Sequence, residues 1–305
     1  MEVAFTDPPP LSSKESETLN LHSVLNILNV IQGQFYFLGD CLADDLEFFK
    51  KSLSICKGFQ GKIQSSGIRP NFAQLVEEFQ ESLLRTMMER LSDIGEDESN
   101  SEVREALQNL DSVFEVFKER SRELVERFDV GLEWKPISIT QLEQNFAEIF
   151  QAIEKNSKGR YHIVYNLARQ LPDDYLVKVD FDSTNGKTIR MPPVFQDVMR
   201  DLIANSRKYT PQGGRITAGV WDNGSSLRFV VEDNGKGIPQ AELSKVTDYG
   251  YRATNVRTER TMGGGFGLTK ARTVVSQFQG KLNIWSVEGE GTKITIQIPI
   301  PERYR

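Results

Sequence analysis

Three short stretches of this 305-residue chain carry side chains whose types and spacing suit a charged ligand. The first is Asp201-Leu-Ile-Ala-Asn205-Ser-Arg-Lys208-Tyr209-Thr210. A helical period puts Asp201 and Asn205 about 40° apart on one face, with Lys208 one turn further along the same side. A carboxylate, an amide oxygen and an ammonium together suit hydrated Mg²⁺ with phosphates, because magnesium takes a few oxygen ligands and keeps several waters. A solvated helix face would have the same composition. The second stretch, Val230 to Pro239, ends an apolar run with Asp233-Asn-Gly235-Lys-Gly237. A carboxylate held there can accept a hydrogen bond from an exocyclic amine such as adenine's. The glycines let backbone approach closely or take positive φ. Asp-Asn-Gly is equally ordinary turn chemistry. The third stretch is Gly263-Gly-Gly265-Phe-Gly267-Leu268. Glycines that open a helix can cradle phosphate with backbone N–H groups and the helix dipole. A flexible hinge has the same sequence, and a lone glycine-rich loop is a weak signal.

The elements around these stretches divide the chain in two. Residues 1–14 contain Pro8-Pro9-Pro10 and Ser12-Ser13, and read as a flexible tail. From about Ser16 to Cys56 the apolar residues Leu21, Val24, Leu25, Leu28, Ile31, Phe35 and Leu38 recur mostly at three- and four-residue steps, which predicts one helix. Gly58, Gly61 and Ser65-Ser66-Gly67 are expected to break it. Further helices are expected over about 71–94 and 102–129, making an all-helical bundle. After Gly131 the texture changes. A short strand is expected from Trp134 to Ile139, a helix from Gln141 to Lys155, and then β-type runs near 162–167, 176–181, 215–220, 227–231, 281–285 and 293–298. Helices fall at Val194–Lys208 and Leu268–Phe278. That mixture predicts an α/β sandwich with one helical layer.

Composition excludes several classes. A net charge of −6 offers no nucleic-acid surface. No apolar run reaches membrane-spanning length, and the first residues lack a signal-peptide pattern. Cys41 and Cys56, read as lying in one helical segment, fit a reduced compartment. Together with the two histidines they make no metal-ligand spacing. The expectation is a soluble cytoplasmic protein.

Taken together, the three stretches resemble the N, G1 and G2 boxes of the Bergerat-type (GHKL) ATP-binding fold, most closely that of sensor histidine kinases. The resemblance covers about residues 132–301. It implies an N-terminal helical dimerisation and phosphoacceptor domain at 15–130 and a catalytic ATP-binding domain at 131–301, in a soluble form without an evident sensor domain. Carried onto this chain, it implies ATP and Mg²⁺ as cofactors. Asn205 would hold the metal with Asp201 nearby, Lys208 would touch phosphate, and Tyr209 would line the pocket. Asp233 would bind the adenine amine. Gly235, Gly237, Gly263, Gly265, Gly267 and Leu268 would shape the surrounding loops. Ser244 to Arg260 would be the ATP lid, with Tyr249, Tyr251 and Arg252 but without a phenylalanine-rich F box.

The acceptor is sought among two histidines. His162 sits in a strand-like run and reads as structural. His22 opens a stripe with Asn26, Asn29 and Gly33 that spans about 60° of a helix. This is either a polar outer face or an exposed acceptor on a rigid bundle. His22-Ser23-Val-Leu-Asn26-Ile-Leu28 resembles a histidine-kinase H box. Ser23 departs from it, since relatives carry an acid there that takes the imidazole proton. A general base contributes about 10²- to 10⁴-fold, so the resemblance implies slow self-phosphorylation. The resemblance also implies that Asn26, at the polar position four residues on, supports aspartyl-phosphate hydrolysis. The implied function is autophosphorylation on His22, then transfer to an aspartate of a response-regulator receiver domain, by a homodimer. Two alternatives stand beside it: a serine/threonine kinase resembling mitochondrial dehydrogenase kinases, and an ATP-binding phosphatase or scaffold.

Overall fold

The computed structural model describes the chain except residues 68–69, 131–132, 156, 158 and 259–263, together with the side chains of residues 14, 17, 20, 22, 23, 66, 123, 126–130 and 152. It forms two compact units, Met1–Leu11 with Leu132–Arg305, and Ser12–Gly131.

The helical unit has four helices among the described residues: α1 (Ser13–Ala43), α2 (Lys50–Ser66), α3 (Phe72–Ser92) and α4 (Ser101–Val130). Each packs against its neighbours in the chain and α1 closes on α4, so the four form a ring around one core. Phe59 and Phe79 stack at 4.2 Å, and Phe117 meets both edge-on. Ser12 caps α1 in a capping box, its hydroxyl accepting from Glu15 N–H and Glu15 reaching back to its N–H. Asn100 does the same work for α4, accepting from Glu102 N–H at 2.9 Å.

The expected helix from Ser16 to Cys56 is in fact two. Asp44 takes a left-handed φ of 50°, and Asp45 N–H turns back to the carbonyl of Gly39. Gly39 permits this reversal, since a Cβ there would lie 2.6 Å from the Asp45 carbonyl oxygen. Cys41 therefore lies on α1 and Cys56 on α2. Gly58 and Gly61 do not break α2. The helix ends at Gly67, whose φ is +65°.

The second unit is built on a seven-stranded sheet. Its strands are β1 (Glu2–Phe5), β3 (Ile163–Val164), β4 (Tyr175–Ser183), β6 (Arg215–Asp222), β7 (Ser226–Asp233), β8 (Lys281–Val287) and β9 (Gly291–Pro299). Their order is β1-β8-β9-β7-β6-β4-β3. Two further strands, β2 (Lys135–Ser138) and β5 (Thr188–Met191), pair with each other. The helices are α5 (Ile139–Lys155), α6 (Pro193–Tyr209) and α7 (Gly267–Gln277). Strands β4 and β6 are parallel, and the crossover between them carries α6. Alternation buries Ile216, Ala218 and Val220 on β6, and Ile294, Ile296 and Ile298 on β9, in the same core as Val198, Leu202 and Ile203 of α6. The expected fold class stands: a helical bundle followed by a Bergerat-type α/β sandwich.

Residues 1–14 depart from the expected flexible tail. Glu2–Phe5 pairs antiparallel with β8, with Val3 opposite Ile284 and Phe5 opposite Leu282. Phe5 is 8% exposed and belongs to the sheet's core. Residues 12 onward already belong to the helical unit. No helix among the described residues is long and apolar enough to cross a membrane.

Candidate functional site

The N-box side chains come from the last turns of α6, where Pro193 opens the helix and the apolar face of Val198, Leu202 and Ile203 fixes its rotation. That leaves Asp201, Asn205, Lys208 and Tyr209 half-buried. The G1 loop, Asn234 to Pro239, follows β7 and is pinned through both backbone groups of Lys236. Lys236 N–H donates to the Tyr209 carbonyl at 3.0 Å, and Gly289 N–H donates to the Lys236 carbonyl at 2.8 Å. The glycines are required there. A Cβ on Gly235 would strike the Tyr209 carbonyl, and one on Gly237 would strike the Val287 carbonyl while φ stands at +61°. Sequence order therefore becomes spatial contact: the end of the N-box helix is fastened to the G1 loop.

Asp233 ends β7 with its carboxylate turned inward. Burial pushes this carboxyl above its ordinary range. Hydrogen bonds from Gly235 N–H (3.0 Å), the Ser206 hydroxyl and Thr292 N–H oppose that shift without overcoming it. Ser206 is a partner the sequence did not single out, although it neighbours Asn205. Lys208 is drawn down to about 8 by burial and then by the charge of Arg252. The Arg252 guanidinium also donates to the Tyr209 phenol, whose pKa burial raises. Arg252 comes from the segment read as the lid. Two cations and a phenol thus meet, an arrangement that disfavours like charge until an anion joins it.

The G2 glycines approach the same place from α7. A Cβ on Gly267 would lie 2.7 Å from Asn205 Nδ2, so helix start and N-box amide touch. Gly265, at φ +77°, lies against the backbone of Gly250 and Tyr251. Leu268 packs on the sheet's core. Gly263 lies outside the described residues. Asp201 is occupied: Lys270 Nζ donates to its Oδ2 at 2.8 Å. The expected lid is tied down at several points. Glu242 accepts from the Tyr251 hydroxyl (2.8 Å) and Thr254 N–H (2.9 Å), and Asn255 Nδ2 donates to the Gly237 carbonyl at 3.0 Å.

In the helical unit, His22 lies within α1, but its side chain and that of Ser23 lie outside the described residues. Asn26 is half-buried on α1. His162 precedes β3, 62% exposed, its Nδ1 3.1 Å from Glu154 Oε1.

Residues 190–302, which include all of these N-box, G1 and G2 residues, match the family described as histidine kinase-, DNA gyrase B- and HSP90-like ATPase. This match lies within the sheet-bearing unit, the ATPase unit by that description. Its similarity runs to sensor kinases. The sensor histidine kinase WalK of Bacillus subtilis is 35% identical over 137 residues, 44% of this chain and 21% of WalK. The aerobic respiration control sensor protein ArcB of Escherichia coli is 31% identical over 179 residues, 58% of this chain and 21% of ArcB. The adaptive-response sensory kinase SasA of Synechocystis is 26% identical over 200 residues, 65% of this chain and 47% of SasA. The chain therefore spans from about a fifth to about half the length of these relatives. Among solved structures, the catalytic domain of histidine kinase ThkA aligns with 57% of this chain and 99% of its own, at 18% identity and a TM-score of 0.40. The resemblance of the ATPase domain to sensor histidine kinases holds.

Proposed function

We propose that this protein is an ATP-dependent histidine kinase of a two-component system, which phosphorylates itself on His22 and passes the phosphoryl group to a response-regulator aspartate. The observation that carries this reading is the joining of the three boxes. Gly235 seats against the Tyr209 carbonyl and Gly267 against the Asn205 amide, so the N-box helix meets the G1 loop at its end and the glycine-rich start of α7 at its side. The relatives named above are sensor kinases, which favours this chemistry over that of the other ATPases sharing the fold.

In this reading Asp233 accepts from the adenine amine, its carboxylate held in place by Gly235 N–H and the Ser206 hydroxyl. Tyr209 forms a pocket wall. Lys208 and Arg252 face the phosphates. The residues fit magnesium through one oxygen donor, Asn205, because Asp201 is engaged by Lys270. Mg²⁺, when bound, neutralises phosphate charge. A ring nitrogen of His22 forms the new bond to the γ-phosphorus. The bond to the bridging oxygen breaks and its electron pair leaves with ADP, while the imidazole N–H proton passes to solvent water. Ser23 is no carboxylate, so the protein's contribution is positioning and charge stabilisation, and the expected rate is slow. Asn26, one turn beyond His22 on α1, is assigned to hydrolysis of the regulator's aspartyl phosphate. The apolar ridges of the bundle are assigned to a homodimer.

The test is transfer of labelled γ-phosphate from Mg·ATP to the wild type, His22→Ala and Asp233→Asn. An acid-labile, base-stable label lost in both variants is expected. A label that survives His22→Ala would favour the serine/threonine kinase. Nucleotide binding without any label would leave a phosphatase or scaffold.

A further inference from the structure

We infer that Arg272 is a positioning residue that ties the N-terminal strand to the root of the segment read as the nucleotide lid, so that seating of β1 on the sheet steadies that segment. The inference rests on the lid reading above.

Arg272 lies in α7, one turn after the glycine-rich start, and its guanidinium reaches in two directions. Toward the N-terminal segment, Nε donates to the Asp7 carbonyl at 2.8 Å, Nη2 donates to the Pro8 carbonyl at 3.4 Å, and the cation lies 4.8 Å from the centre of the Phe5 ring. Toward the lid root, Nη1 donates to the Thr247 hydroxyl at 3.1 Å. Thr247 is fully buried. One turn earlier on the same helix, the Thr269 hydroxyl donates to the Asp248 carbonyl at 3.0 Å. The face of α7 that holds residues 247–248 is thus completed by an arginine that also donates from Nε and Nη2 to the N-terminal segment.

The contacts continue inward without a gap. Tyr251 N–H donates to the Asp248 carbonyl at 3.2 Å, and the Tyr249 ring packs on Phe266 at 4.8 Å. The backbone of residues 250–251 seats Gly265, and Gly267 meets Asn205. A planar guanidinium is suited to this task, since it presents donors in a fixed fork while its face stacks on an aromatic ring. Outward, the strand leads directly into the helical unit. Leu11 is followed by Ser12, which caps α1. The chain joins the two units twice, here and at residues 131–132.

Adjacency of contacts is not coupling; a double-mutant cycle measures it. Met1 and Ser286 exchange backbone hydrogen bonds, so Val3 opposite Ile284 is the next hydrogen-bonded pair of the ladder. Val3→Pro removes that donor at a sheet edge. Thr247→Val removes the hydroxyl that Arg272 holds. The full-length protein, the two variants and the double variant are compared without nucleotide by amide hydrogen exchange in peptides covering 282–285 and 246–251. Affinity for a fluorescent ATP analogue with Mg²⁺ is measured in parallel.

Val3→Pro is expected to speed exchange about tenfold in both peptides, the equivalent of roughly one net hydrogen bond. Thr247→Val is expected to speed it in 246–251 alone, and the double variant to exchange there no faster than Thr247→Val. Arg272→Met is expected to loosen both regions, which guards against Val3→Pro failing to fold. Faster exchange confined to 282–285 in Val3→Pro, or fully additive effects at 246–251, would overturn the tie. Coupled exchange with unchanged nucleotide affinity would overturn the lid half of the proposal alone. A fault in the ATP-site reading would then be seen separately from a fault in the tie.

Discussion

Gly33, Gly58 and Gly61 lie inside helices of the helical unit, and a methyl group added at any of them would meet nothing within 4 Å. In the ATPase unit the same addition at Gly235, Gly237 or Gly291 would strike a backbone carbonyl, and at Gly267 a side-chain amide. Polar burial divides the same way. Of the described residues that are polar and buried, only Ser52 and Ser121 lie in the helical unit, while the ATPase unit buries Asp174, Asp197 and Asp222 among others. Apart from Gly39, where a Cβ would strike the Asp45 carbonyl at the end of α1, the helical unit is held by apolar ridges and stacked phenylalanines, which specify a shape through many interchangeable contacts. The ATPase unit is held at its site by backbone approaches that admit one residue type. A binding site needs atoms held within a fraction of an ångström, and the unit with such close approaches is the one to which the proposed nucleotide site belongs.

The sharpest way to break this comparison is Gly237→Ala. The Val287 carbonyl occupies the place of the new methyl, and φ is +61°. Strain and overpacking together predict a loss of about 3 kcal/mol in the ATPase unit's stability. Nucleotide affinity should fall at least tenfold, while the helical unit's unfolding transition stays in place. Denaturant unfolding followed by domain-specific probes, with a nucleotide titration, measures both. An alanine variant that binds nucleotide like the wild type would show that the G1 loop does not depend on close approach.

Those same demands decide what was legible beforehand. The G1 and G2 stretches could be read because close backbone approach leaves glycine as its signature at fixed offsets, and the N stretch because Asp201, Asn205 and Lys208 share one side of a helix. The apolar faces of α3 and α4 were readable from their period. Strand β1 was not, since Glu2–Phe5 is four residues beside a proline run and its partner, Lys281–Val287, lies far along the chain. The pairing of Asp201 with Lys270 spans 69 residues and leaves no local pattern. The end of α1 was hidden because the reversal uses Asp44 in the left-handed region, which aspartate tolerates without the usual glycine. Gly58 and Gly61 misled in the opposite sense. Glycine weakens a helix, but Leu53, Cys56, Phe59 and Ile63 bury one face of α2 and override that cost.

Buried charge gives a second, smaller test. In the helical unit burial pushes the Cys56 thiol up to about 12, which leaves it neutral at physiological pH. In the ATPase unit burial, helped by Arg252, draws Lys208 down to about 8. Without nucleotide this lysine releases its proton earlier in the folded state than in the unfolded state. The unfolded chain then binds more protons between about pH 8 and the ordinary lysine range, so the ATPase unit gains stability as pH rises through that window. Nucleotide binding should run the other way, because the proposed phosphate contact needs the ammonium. Affinity should fall by up to about tenfold from pH 7 to pH 9. Lys208→Arg, which stays charged, should flatten the profile. An equal fall in the arginine variant would remove Lys208 from the phosphate site.

The smallest effect tests the helical side directly. Gly58 and Gly61 are helical, and their Cβ positions are open. Alanine there restricts the unfolded chain and fits the native backbone, so each substitution should stabilise by about 0.5–1 kcal/mol. The sign is opposite to that expected for Gly237→Ala, and the two sites are close enough on one helix that their sum should be checked in the double variant. Only the helical transition should move, with nucleotide affinity unchanged. Destabilisation would mean that these glycines meet a partner outside this chain, most simply the second copy proposed for the bundle, whose close approach would then require them. Sedimentation of Gly58→Ala/Gly61→Ala separates the cases: if the glycines were part of that interface, the loss of stability would come with dissociation.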